Sequence, residues 1–121
     1  MKSKHHVGLR EHEIQRQILA WLELKHIFHW RNNSGTLRKG RHYVKFGKKG
    51  SPDIFALVRG TLFGIELKAH DGFQSQVQKE FEVEFVKAGG VYLLCYSVED
   101  VTQVIEGKKP FETQGKPGGV R

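Results

Sequence analysis

At 121 residues the chain has the length of one ordinary domain, and its 38% hydrophobic content can fill one core but not two. A charged fraction of 27% argues against wholesale disorder, and a lone Cys95 excludes an internal disulfide or a cysteine-rich zinc site. No apolar run nears the ~20 residues of a membrane span, and no apolar segment follows the basic N-terminus as a secretory signal requires, so a cytoplasmic protein is expected.

Residues 1–10 read as a flexible N-terminus, and 11–26 as an amphipathic helix. Ile14, Ile18, Trp21 and Leu22 recur at helical spacing and form one apolar stripe. A short strand over 27–31 follows, then a turn at 32–35. Residues 36–50 form a Gly- and Lys-rich loop or loose hairpin with no clean period. Two strands, 53–58 and 61–68, are separated by Arg59-Gly60, a break of hairpin size. Ser75 caps a helix running to about Ala88, with Val77, Phe81 and Phe85 on one side and Gly89-Gly90 ending it. Residues 91–96 are an apolar run suited to a strand buried on both faces. Ser97-Val98-Glu99-Asp100 resembles a capping box opening a last helix to about Glu106, and 107–121 is a Pro- and Gly-rich tail. The expected fold is α/β, a mixed β-sheet flanked by helices, in the order α-β-β-β-α-β-α.

The charge is unevenly distributed. The chain carries 20 Lys and Arg against 13 Asp and Glu, net +7, yet no acid occurs from Leu24 to Pro52. That stretch holds Lys25, Arg31, Arg38, Lys39, Arg41, Lys45, Lys48 and Lys49, so the excess is local. A confined cationic surface attracts polyanions by counterion release, which points to nucleic acid; the bland alternative is a solvated face. Arg31, Asn32, Asn33 and Ser34 follow a strand beside this segment. They suit a phosphate contact through side chains and turn amides, or else a simple Asx turn.

The acidic residues of the central hairpin carry the chemistry. A two-residue turn at Arg59-Gly60 makes antiparallel partners sum to 119, which sets Asp53 opposite Glu66, with Lys68 on the same face as Glu66. Like charges placed together are unfavourable, and a divalent cation such as Mg²⁺ is the natural reason to tolerate them; a weak solvated ion network is the alternative.

Gly50-Ser51-Pro52-Asp53, followed after 12 residues by Glu66-Leu67-Lys68, resembles the signature of the PD-(D/E)XK nuclease superfamily. More narrowly, 11–15 (EHEIQ), 30–35 (WRNNSG), 50–55 (GSPDIF), 65–68 (IELK), 75–81 (SQVQKEF) and 88–101 (AGGVYLLCYSVEDV) resemble the virus-type replication-repair nuclease domain, in a stand-alone phage-like form, across 11–106. The resemblance implies a restriction-endonuclease-like core and a metal-dependent endonuclease of structured DNA, such as a four-way junction. Products would carry 3′-hydroxyl and 5′-phosphate ends. It implies Asp53 and Glu66 as metal ligands for Mg²⁺ or Mn²⁺, with the Leu67 carbonyl as a further ligand, Lys68 as the catalytic lysine and Gln78 as the glutamine near the site.

Gln78 also fits the reciprocal half of a capping box with Ser75. Glu11 and Glu13 compete for the family's early-helix glutamate; Glu11 falls within the apolar stripe and is preferred, as a metal ligand or supporting base. The segment 36–49 matches the family poorly, and the strand after Gly90 lacks the arginine many members carry. The alternatives are a non-catalytic DNA-binding protein on this scaffold, or a sequence-specific restriction-type nuclease, for which no base-reading module is evident. Two cuts in a four-way junction favour a C₂ homodimer, with Trp30, Tyr43, Phe46, Phe111 and Val120 as surplus apolar surface.

Overall fold

The computed structural model describes residues 3–33 and 35–107, with side chains from Arg10 onward except at 35 and 46. The elements in order are α1 (Ser3–Leu24), β1 (Phe28–Arg31), β2 (Gly35–Lys39), β3 (His42–Phe46), β4 (Ile54–Val58), β5 (Thr61–Leu67), α2 (Gln76–Lys87), β6 (Val91–Cys95) and α3 (Val98–Ile105). The result is a mixed α/β architecture. Four strands form one sheet in the order β1-β4-β5-β6, and β2 and β3 form a separate two-stranded sheet. The β1–β4 and β4–β5 pairs are antiparallel, while β5 and β6 are parallel. A parallel pair needs a crossover, and α2 supplies it.

Alternation along the strands divides the sheet into two faces. Ile54, Ala56 and Val58 of β4, Phe63 and Ile65 of β5, and Leu93 and Cys95 of β6 point to one side. There they join Ile14, Ile18 and Leu22 of α1 and Val101, Val104 and Ile105 of α3 in a single apolar cluster. The other side carries Phe55, Leu57, Gly64, Glu66 and Tyr92, and α2 covers part of it. β6 ends the sheet, yet its side chains are largely buried because α2 and α3 both pack on it.

Four local outcomes differ from the sequence reading. α1 begins at Ser3 rather than at Glu11, so 3–10 is helical and not a flexible lead-in; its C-terminal end is closed by His26 in the left-handed region (φ 59°), with Ile27 N–H bonded to the Leu22 carbonyl. The 36–50 segment contains a regular hairpin, Lys39 facing His42 across Gly40-Arg41. No period marked it because both of its faces are exposed wherever side chains are described, so nothing selects apolar alternation. Ser97 caps α3 by backbone geometry alone; its side chain makes no capping bond, and Asp100 accepts instead from the Tyr96 N–H at 2.8 Å. The carboxylate register also differs, as described below. The tail expected over 107–121, with Phe111 and Val120, lies outside the described residues from 108 onward, as does Ser34. Among the described residues no helix is long and apolar enough to cross a membrane.

Candidate functional site

The turn that sets the hairpin is strained in a specific way. Arg59 (φ 47°) and Gly60 (φ 84°) both take positive φ, as a type I′ turn demands, and this twists the strands compatibly. The register sum of 119 then holds for five pairs, from Val58↔Thr61 to Ile54↔Ile65. It stops one residue short of Asp53. The Asp53 N–H donates to the Ile65 carbonyl at 3.0 Å, so Asp53 and Ile54 both meet Ile65 and the chain bends at Asp53. Asp53 is therefore not a regular cross-strand partner of Glu66. Its carboxylate instead reaches over the end of β4, where Oδ2 accepts the Leu67 N–H at 2.8 Å.

That bend is held from a neighbouring strand end. The Asn32 N–H donates to the Asp53 carbonyl at 2.7 Å, and its Nδ2 donates to Ser51 Oγ at 2.8 Å and to the Pro52 carbonyl at 2.9 Å. Asn32 is thus spent on bracing the 51–53 segment. Gly50 anchors the same segment from the other side: with φ 78°, a Cβ there would stand 2.5 Å from the Val77 carbonyl oxygen of α2. Only glycine allows that approach.

Glu66 is buried at 3% exposure on the α2 face. Its Oε2 accepts from Gln78 Nε2 at 2.9 Å and lies 3.5 Å from Lys68 Nζ. Its Oε1 is buried with no hydrogen-bond partner. Burial, then the nearby charge of Asp53, push its carboxyl up to about 8 despite Lys68. Asp53 is also raised, chiefly by burial, although the Leu67 amide opposes the shift; Glu11 raises it further, and Lys68 and Arg31 lower it.

Gln78 serves both roles that its position suggested. Its Oε1 accepts from the Ser75 N–H at 2.9 Å, and its own N–H donates to Ser75 Oγ at 3.2 Å, completing a capping box. The same amide donates to Glu66. Glu11 lies beside the site as well, its Oε2 accepting the Ala69 N–H at 3.2 Å, whereas Glu13 is exposed. Asp53, Glu66, Lys68, Gln78 and Glu11 are thus brought together from four segments: α1, the bend before β4, the end of β5, and α2. Leu67, 3% exposed between Glu66 and Lys68, contributes its amide to Asp53.

The remaining predicted contacts are dispersed. Arg31 sits at the end of β1, near enough to act on Asp53. Asn33, Lys39, Arg41, Lys45, Lys48 and Lys49 are exposed. Arg38 is exposed too; it donates to the Gly40 carbonyl and lies 5.9 Å from the Tyr43 ring centroid.

Sequence reasoning missed a buried polar seam beside Glu66. Glu82 is 4% exposed, its Oε1 accepting from Gln74 Nε2 at 2.9 Å, while its Oε2 and the Tyr92 hydroxyl are buried without partners. Burial raises the pKa of both side chains. The signal was weak: Glu82 falls next to Phe81 on the buried side of α2, where a carboxylate is unusual.

Oxygen donors dominate the centre. A buried carboxylate oxygen without a partner, next to the half-buried carboxylate of Asp53, fits a hard divalent cation and suits a softer metal poorly. Among the described residues no group of three or more His, Cys, Asp or Glu side chains is placed to hold one ion; Glu11 lies near enough to act on the charge of both Asp53 and Glu66. No protein-family model, curated protein or solved structure matches the chain.

Proposed function

We propose that the protein is a Mg²⁺- or Mn²⁺-dependent endonuclease of the PD-(D/E)XK kind, acting on branched DNA such as a four-way junction and working in the cytoplasm as a homodimer. One observation carries the reading: Lys68 and Gln78 share Glu66 Oε2 while Oε1 stays unpartnered beside Asp53. The sequence resemblance and the local cationic excess support it.

Asp53 and Glu66, with the Leu67 carbonyl, would hold the cation, whose chemistry is to polarise a phosphate and make a bound water a better nucleophile. Gln78 fixes the Glu66 rotamer, so the free oxygen keeps its direction. The Lys68 ammonium, 3.5 Å from Glu66, offsets carboxylate charge and stabilises charge that develops on the phosphoryl oxygens. Glu11 holds the chain just after Lys68 through the Ala69 amide. Arg31 and the lysines beyond it take up the backbone of the strand being cut, reading phosphate and shape rather than bases. Two such sites in a C₂ pair match the symmetry of a four-way junction, and sedimentation of the complex reads the copy number.

The test is cleavage of four-way, flap, splayed and linear DNA in Mg²⁺ or Mn²⁺ against EDTA. Wild type is expected to cut branched substrates, leaving 5′-phosphates. Asp53→Ala or Lys68→Ala is expected to bind but cut on the order of 10²–10³ times more slowly or worse. Undiminished cleavage by either variant overturns the assignment.

A further inference from the structure

α2 covers only part of its side of the sheet, and two of its own rings continue into those of β4 and β1 as one row. Phe81 lies 5.4 Å from Phe85, Phe85 5.9 Å from Phe55, Phe55 5.3 Å from Trp30, and Trp30 6.0 Å from Phe28, measured between centroids. The inner end of the row is packed and its outer end is open. Phe28 is 68% exposed, Trp30 43%, and Leu57, paired with Phe28, 41%. At the inner end, Phe81 and Phe85 line a groove of about 590 Å³ together with Lys48 and Lys49 of the segment before β4 and Val77, Glu80 and Glu84 of α2.

We infer that this row is a stacking platform for the bases of an unpaired DNA strand, with Lys48, Lys49 and Arg31 holding its phosphates. Aromatic faces accept any base, and cations beside them track the backbone. The uninterrupted lack of acidic residues from Leu24 to Pro52 supplies the charge complementarity, and it contains Phe28, Trp30 and both lysines. Glu80 and Glu84 of α2 repel phosphate, which favours the backbone beside Lys48 and Lys49 and leaves the rings to the bases. A protein partner fits less well, because the cores of protein interfaces are depleted of charge, whereas this groove is lined by four charged residues.

Placement ties the platform to the chemistry. Trp30 pairs with Phe55 and so faces the same side of the sheet as Glu66, two strands across and two residues along. Strand geometry makes that about 12 Å, within about four stacked nucleotides. The inference rests on the nuclease reading and narrows its substrate: the preferred DNA has unpaired bases close to the cut.

Binding of a fluorescent dT₁₂ and of a 12-base-pair duplex, in EDTA, tests the platform without any cleavage. Trp30→Leu keeps an apolar side chain but removes the stacking face. Its dT₁₂ affinity is expected to fall about five- to 150-fold, the worth of one base stack, with a smaller loss on duplex, and Trp30→Tyr is expected to recover most of it. Phe28→Leu, at a more exposed site, is expected to show the same selective loss, which separates stacking from any folding defect at Trp30. Equal losses on both DNAs, or none, overturn the platform. So does a variant carrying both Trp30→Leu and Phe28→Leu that changes only the sedimentation behaviour, which would make the face a contact between copies. A selective loss in a protein that never cuts DNA keeps the platform and removes the nuclease.

Discussion

Glu66 concentrates the cost of the site in one side chain. A carboxyl whose folded-state pKa lies near 8, against an ordinary value of 4.5, binds its proton more tightly folded than unfolded. Its contribution to stability is most favourable below about pH 4.5 and is lost as pH rises toward 8. Asp53, Lys68, Glu11 and Gln78 face it, and burial outweighs Lys68. Metal-free Glu66→Gln is therefore expected to be more stable than wild type at pH 8.5, on the order of a few kcal/mol, with the advantage vanishing by pH 5. Urea titrations at the two pH values measure this, and a pH-independent difference contradicts the assignment of burial as the cause. At this scale the sequence was informative about identity but not about geometry. The Asp53, Glu66 and Lys68 trio was legible from spacing. The bend at Asp53 was not, because it depends on Asn32 bracing 51–53 from a different strand.

Among the elements, α2 and the 50–53 segment are interlocked. Gly50→Ala introduces a methyl group 2.5 Å from the Val77 carbonyl at a backbone angle alanine resists. The expected cost is about 2 kcal/mol or more, read as a fall in Tm of roughly 5–10 °C. Activity at low temperature should fall as well, since Asp53 is three residues away. A stable, fully active variant would mean that the segment shifts freely against the helix. The helices and central strands were readable because apolar period and caps agree with burial: Ile14, Ile18 and Leu22 all enter the core. The β2–β3 hairpin was not, since two solvated faces leave no pattern to read. The early start of α1 was equally hidden, because residues 3–10 carry no apolar stripe.

For the whole molecule, the distribution of charge decides how the proposed DNA substrate would be met. With Arg31, Lys48 and Lys49 as phosphate contacts, log affinity for branched DNA should fall linearly with log salt, by about 0.9 per phosphate neutralised. Replacing Lys48 and Lys49 with alanine should flatten the slope by about two, whereas replacing Lys87, on the C-terminal turn of α2, should leave it near wild type. An unchanged slope in the double variant places the DNA on another surface. Composition alone located this cationic stretch. It could not show that the stretch divides between a β1 end near Asp53, a separate hairpin, and one wall of a groove against α2.

The side chain of Gln78 works as a directional connector. One end accepts from the Ser75 N–H, the other donates to Glu66, and among common side chains of that length only a primary amide offers both polarities at once. Glutamate in its place would keep the cap but confront Glu66 with a like charge, and lysine would satisfy Glu66 but abandon the cap. The first turn of α2 and the aim of the reactive carboxylate consequently share one fastener. Whatever frays that turn, whether heat, denaturant or a strand prising the helix from the sheet, also releases Glu66, so the proposed nuclease would lose its site before the protein unfolds.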